Sequence, residues 1–294
     1  MAQPVEFKKT REFGELIGDT FLFLKQNFKP LAKALLYLCG LFIVAGILTS
    51  ILSQMNLLDY TRGEMRSPIY ARNTWARILS WQYFLSMIFA MAYANSLYVT
   101  ILSYLTLYIE KGNVAPSLLE VWGYYKYYFF RLLGSSFLLT IFFVICLACC
   151  LVPGIYIFPM ISIFYPVMIM ENAGFRYTFN RSFKLVKNEW WVSAAVILII
   201  WIIAYALALF IQIPSFAIMM ISTLTHAERP FSNAYIILNA IGSYLSYIFF
   251  SIPVITSTLI YYNLVEKKEN SGLMERIGNL GSNTGAQEID AEEY

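Results

Sequence analysis

Four cysteines, one histidine and a few glutamates near basic residues are the side chains of this sequence that could bind a metal or move protons and electrons. Cys146 and Cys149 stand at C-x-x-C spacing, with Cys150 beside them and Cys39 far upstream. A thiol pair cycles through a disulfide, or holds a metal, as thiolate. All four cysteines sit in uncharged apolar sequence, with no histidine or acid nearby, and that setting disfavours ionisation. They read as small, polarizable packing residues. His226, next to Glu228 and Arg229, reads as a solvated loop residue. Hydrolysis by acid–base or metal-assisted chemistry needs converging histidines, carboxylates or a metal. No phosphate-binding G-x-x-x-x-G-K-[ST], no H-E-x-x-H and no G-x-S-x-G motif occurs. The chain is therefore expected not to be an enzyme, and to carry no metal or cofactor.

The sharper candidates are charges at the edges of apolar sequence. Glu110, Glu171 and Glu266 each close such a stretch, at Tyr108-Ile-Glu110, Ile169-Met-Glu171 and Leu264-Val-Glu266. Glu171 is placed to pair with Arg181, and Glu110 with Lys111 or Lys126. Ser182, Lys184 and Lys187 share a segment with Arg181. The candidate rim residues are thus Glu110, Glu171, Arg181, Ser182, Lys184 and Lys187. A charge at such an edge also serves simply to stop a membrane span.

The elements that carry these residues are set by the absence of charge elsewhere. No Lys, Arg, Asp, Glu or His occurs in 34–54, 82–109, 132–170, 190–225 or 231–265, which together make about half of the 294 residues. Hydrophobic residues reach 59% and charged ones only 13%, against about 25% charged in soluble domains. A charge at the bilayer centre costs about 2.5–3.5 kcal/mol even on the mildest scale, so lipid is the natural solvent for this chain. A spanning helix needs about 20 apolar residues. Pro153-Gly154 divides the longest stretch, and six spans follow, near 31–54, 83–109, 132–152, 155–171, 191–213 and 236–263. The runs are continuously apolar, which argues against alternating barrel strands. The expected fold is all-α, a polytopic bundle of six spans in one domain covering 1–270.

Sidedness follows from Lys and Arg. Sixteen of the 21 fall in the N-terminal segment, 110–131, 172–190 and the C-terminal tail, against five in the opposite loops (Arg62, Arg66, Arg72, Arg77 and Arg229). This puts both termini in the cytoplasm of a bacterial inner membrane. The first residues carry Glu6, Glu12, Glu15 and Asp19 and lack an early apolar core, so they do not read as a signal peptide. The tail 271–294 is Gly/Ser-containing and acidic and reads as flexible.

Three segments read as copies of one unit, a parallel repeat. Each has an amphipathic lead-in helix, a span, an outer turn, and a return span ending in Glu. The lead-ins are 13–28, 118–130 and 177–190. The same outline also fits any helical hairpin with an interfacial lead-in. In the third lead-in, Tyr177, Phe183 and Trp190 share a face while Arg181, Lys184 and Lys187 lie elsewhere, as in a helix lying in the headgroup plane. Tyr124, Tyr125, Tyr127, Tyr128, Phe129 and Phe130 form an interfacial aromatic belt. Three such helices would build a cytoplasmic collar able to meet anionic headgroups, although positive-inside anchoring accounts for the same residues.

The block Met170-Glu-Asn-Ala-Gly-Phe-Arg-Tyr-Thr-Phe-Asn-Arg-Ser-Phe-Lys-Leu-Val-Lys-Asn-Glu-Trp-Trp191 and the block Ser257-Thr-Leu-Ile-Tyr-Tyr-Asn-Leu-Val-Glu-Lys-Lys-Glu269 resemble a known pattern. It belongs to the membrane domain found beside or fused to bacterial glycerophosphoryl diester phosphodiesterases, and to related six-span families. Glu171, Arg181, Ser182, Leu185 and Trp190 or Trp191 match the first motif. Phe179-Asn180 replaces its usual Ala-Leu, and Asn263 and Val265 depart from the second. The resemblance covers about 120–270. It implies a six-span membrane protein and does not imply the phosphodiesterase reaction.

A proton- or sodium-coupled carrier keeps an ionisable group at membrane depth. These spans offer only weaker polar groups such as Asn95, Gln212, Asn239, Ser243 and Ser246. Pro159 and Pro166 fall on one face of the fourth span, where they kink it or open a cavity; Pro153 and Pro214 start or stop spans. Three functions compete. The leading one is a non-enzymatic inner-membrane protein that organises lipids or partner proteins, membrane or cytoplasmic. The others are a transporter or exporter of a hydrophobic or lipid-like substrate, and a membrane subunit of a separate hydrolase. Nothing points to nucleic acid.

Overall fold

The computed structural model describes residues 4–64, 80–149, 151–224, 232–270 and 274. Cys150, His226, Arg66, Arg72, Arg77, Arg229 and nearly all of the acidic tail lie outside the described residues, as do the expectations placed on them.

Every regular element among the described residues is helical: α1 (Phe13–Glu64), α2 (Trp81–Glu110), α3 (Leu118–Cys149), α4 (Leu151–Met170), α5 (Phe175–Val186), α6 (Trp190–Leu224), α7 (Asn233–Ser246), a 3₁₀ turn (Tyr247–Phe250) and α8 (Ser251–Glu269). Six stretches are long and apolar enough to cross a membrane, with α7, the 3₁₀ turn and α8 forming the sixth. Continuous apolar sequence becomes helix because each N–H and C=O is then satisfied within its own segment, where lipid offers no partner. The chain is an integral membrane protein.

Three boundaries differ from the sequence reading. The first and second lead-ins are not separate helices, because α1 and α3 run unbroken from lead-in to span. No helix-breaking residue sits at either junction except Pro30, which α1 absorbs. At about 1.5 Å per residue, the 52 residues of α1 exceed twice the hydrocarbon thickness of about 30 Å. The fifth span does not end at 213: α6 carries Pro214 in its interior and continues to Leu224. The sixth is interrupted. Pro253 has no N–H for the Phe249 carbonyl, and the chain ahead of it tightens into the 3₁₀ turn.

α8 is the axis of the bundle. It is buried from Ser251 to Glu266 except at Tyr262, and α1, α2, α4, α5 and α6 pack around it. Lipid tails are as apolar as leucine, so close packing and hydrogen bonds hold such helices together. Thr20 and Thr256 share a hydroxyl hydrogen bond of 3.0 Å between α1 and α8. Gly46 of α1 lies under the Tyr244 ring, where an added Cβ would collide with the ring carbons.

One end of the bundle, the basic end, gathers 4–19, 108–128, 169–189 and 261–270. The segment 4–12 folds back against this end. Val5 and Phe7 are buried, and Phe7 meets Phe23, Tyr108 and Tyr262 edge-on at centroid distances of 5.5, 6.2 and 5.9 Å.

Candidate functional site

The basic end carries a charged network built around Arg181 on α5. Its Nε donates to Glu171 Oε1 at 3.0 Å, and Nη2 lies 2.6 Å from Glu269 Oε1. Glu171 Oε1 also accepts from the Tyr261 hydroxyl at 3.1 Å. These contacts tie the end of α4, helix α5 and the end of α8 together. Burial alone would lower the Arg181 pKa, but its hydrogen bonds to Glu269 and Glu171 outweigh that and raise it. The guanidinium is therefore held cationic. Tyr177 donates to Glu171, and this bond raises the pKa of its phenol.

The expected Glu171–Arg181 pair is thus present. The remaining rim residues are placed differently. Ser182 is buried and returns its hydroxyl to the Thr178 carbonyl at 2.8 Å, a helix back-bond. Lys184 and Lys187 are exposed, and the Lys184 carbonyl accepts from Lys268. Glu110 pairs with neither Lys111 nor Lys126: it accepts from the Tyr124 hydroxyl at 3.0 Å. Lys111 instead holds Glu120 at 2.6 Å, and Lys126 lies over the Trp122 ring, 5.5 Å from its centroid. Glu120 closes a capping box with Ser117, accepting from its backbone N–H at 2.8 Å. That Ser-x-x-Glu spacing ahead of an apolar run is the sequence signal for this cap. Glu189 holds Lys267 at 3.0 Å. Lys111, Arg181 and Lys267 are thus neutralised by the protein's own carboxylates, while Lys184 and Lys187 stay exposed.

Sequence reasoning missed Arg11. Its side chain has no exposed surface and pairs with Asp19 at 2.8 Å. Nη1 donates to the Phe7 and Lys9 carbonyls at 2.8 and 3.2 Å, and Nη2 donates to the Glu6 carbonyl. Its backbone N–H donates to Asn263 Oδ1 on α8 at 2.7 Å. One guanidinium thus clamps the folded-back segment across the basic end.

The second feature lies at mid-height. A cavity of about 480 Å³ opens between α2, α6, α7 and the 3₁₀ turn, lined among others by Tyr98, Trp201, Tyr205, Gln212, Ser243 and Tyr247. A smaller cavity of about 100 Å³ continues between Tyr98, Trp201, Ser162, Pro253 and Thr256. Tyr98 and Trp201 line both. At the far edge of the larger cavity, Gln212 Nε2 donates to Ser243 Oγ at 2.8 Å. Gly242 lets α6 come close there, since a Cβ on it would lie 2.8 Å from Gln212 Oε1. No Asp, Glu, Lys, Arg or His lines either cavity. Gln212 and Ser243 were visible in the sequence as polar groups within spans. They meet across the packed pair α6 and α7.

Cys39 is buried, with Ser96 Oγ donating to its sulfur at 3.3 Å. Among the described residues no group of three or more His, Cys, Asp or Glu is arranged to hold a metal. No protein-family model matches the sequence, and no curated protein or solved structure is significantly similar to it.

Proposed function

We propose that this membrane protein works without chemistry of its own, by holding and organising lipid-like molecules, with its basic end on the cytoplasmic side of a bacterial inner membrane. The observation that carries the reading is the pair of adjoining mid-height cavities, aromatic in their walls and bearing amide and hydroxyl groups but no charge. Such a lining suits an apolar chain with an uncharged polar group, because a lone ion there would be left unpaired in a medium of low dielectric. The basic residues anchor this end at the headgroup level. Helix α5, with Thr178, Ser182, Leu185 and Val186 inward and Arg176, Tyr177 and Lys184 outward, fits a helix lying along that level. The three return helices each end in a Glu followed within four residues by a left-handed Asn (Asn113, Asn172 and Asn270), which favours three related hairpins.

A second reading, export of a lipid-like substrate, is favoured by the broken sixth span. Tyr247 and Phe250 of the 3₁₀ turn line the larger cavity, and interrupted helices line the binding sites of many transporters. One experiment tests the proposal and separates the two. The protein is purified in mild detergent, retained lipids are counted by native mass spectrometry, and fluorescent-lipid movement is followed in vesicles. Wild type is expected to retain a lipid that A208F, which fills the cavity from α6, loses. Lipid movement lost in A208F would select the exporter. Equal retention by both proteins would overturn the proposal.

A further inference from the structure

A third cavity, of about 660 Å³, lies at the basic end between α2, α3 and α4, away from the mid-height pair. Its wall includes Glu110, Tyr124, Tyr127, Tyr128 and Asn172. The two carboxylates that reach it differ. Glu120 is held by Lys111 at 2.6 and 2.7 Å. Glu110 is exposed, and among the described residues no cation lies within salt-bridge distance of it; Tyr124 is its hydrogen-bond donor. A carboxylate beside three tyrosine rings is the arrangement that takes an ammonium group, through charge pairing and the negative ring faces.

A cation stands at the rim of this groove, outside its wall but bonded to the lining residue Asn172. Arg131 reaches Asn172 with Nη1 on Oδ1 at 2.7 Å and Nη2 on the carbonyl at 3.3 Å. Its guanidinium carbon sits 5.9 Å from the Tyr128 ring centroid. A guanidinium has five N–H donors, and these two bonds leave others to face an anion. From Tyr124 to Arg131 the helix rises about 10 Å, and both flanking charged side chains can lean inward over that span. A negative group in the groove and a positive group at its rim, joined through Asn172 and Tyr128 of the wall, thus stand close to one another.

We propose that this groove binds the zwitterionic headgroup of an amine-bearing phospholipid, with the ammonium at Glu110 and the tyrosines and the phosphate at Arg131. The inference rests on the reading that the basic end lies at headgroup depth, and it uses residues separate from the mid-height cavities. A free phosphoethanolamine has the same chemistry, and the experiment includes it.

The protein in nanodiscs is titrated with photoactivatable phosphatidylethanolamine or phosphatidylglycerol of identical acyl chains, and crosslinks to residues 119–131 are quantified. Phosphatidylethanolamine is expected to crosslink about tenfold more strongly, equivalent to about 1.4 kcal/mol. E110Q, which keeps an acceptor for Tyr124, should abolish that preference. R131Q should weaken crosslinking of both lipids. Competition by soluble phosphoethanolamine would assign recognition to the headgroup itself and support the site; its absence with the lipid preference intact would show that the acyl chains are also needed and would support the lipid as occupant. Equal crosslinking of both lipids by wild type, or an E110Q profile like wild type, would overturn the proposal. The A208F retention assay reads the other cavity, so failure here leaves that result separate.

Discussion

Removing the Arg11 side chain should release the folded-back segment and destabilise the bundle by about 3 kcal/mol. Truncating one member of a buried ion pair costs about 3–5 kcal/mol. Arg11 is fully enclosed while Asp19 keeps 19% of its side chain exposed and also lies 3.5 Å from Lys9, so the lower end of that range applies. R11A also removes the guanidinium donor from the carbonyls of Glu6, Phe7 and Lys9, of which Phe7 keeps the Lys9 N–H. R11K keeps a positive charge near Asp19 but lacks the planar fork that reaches three carbonyls at once, and should lose about 2 kcal/mol. Two measurements check this. Reversible unfolding in mixed micelles gives the energies. Brief trypsin treatment followed by mass spectrometry reports cleavage at Lys8 and Lys9, which the clamp restrains in wild type. Unfolding energies of R11A within about 0.5 kcal/mol of wild type, with no new cleavage, would refute the reasoning.

Other outcomes follow from contacts of the same kind. G46A should destabilise by about 1–3 kcal/mol through overpacking, because its methyl would meet the Tyr244 ring; in a thermal-shift series, Y244A should absorb most of that loss. A double-mutant cycle between Arg181 and Glu171 should show coupling of about 1–2 kcal/mol, below that of a fully buried pair because both side chains keep some exposure, 15% and 17%; denaturant midpoints of the four variants measure it. The bond from Tyr177 to Glu171 has a definite pH signature. A tyrosine whose folded pKa lies above its unfolded value of about 10 contributes stability below pH 10 and loses it as pH rises through the folded value. Y177F should therefore match wild type in slope above pH 10 less closely than at neutral pH, and identical alkaline slopes would remove that contribution.

The spans were legible because charge is excluded from them over lengths that nothing but lipid rewards. The Glu171–Arg181 pair was legible because ten residues separate a span end from the next helix. Other features depended on contacts distant in sequence. Val5, Phe7 and Arg11 show no periodicity, and their place is fixed by Asn263, 252 positions away. Pro214 reads as a stop in a soluble helix, whereas in a packed bundle neighbouring groups can satisfy the freed carbonyl. Glu110 has two lysines within reach by sequence, yet the Ser117 capping box and the Trp122 ring engage them or their partner first. The mid-height cavity is the least legible feature, since its polar groups come from α6 and α7 and its wall also takes in α2 and the 3₁₀ turn.

The most direct test of the central claim is a structure of the protein in nanodiscs made from native lipids. The account predicts elongated, acyl-like density in the mid-height cavity, bounded by Trp201, Tyr205 and Gln212. A cavity there that is collapsed, or filled by water alone, would contradict it.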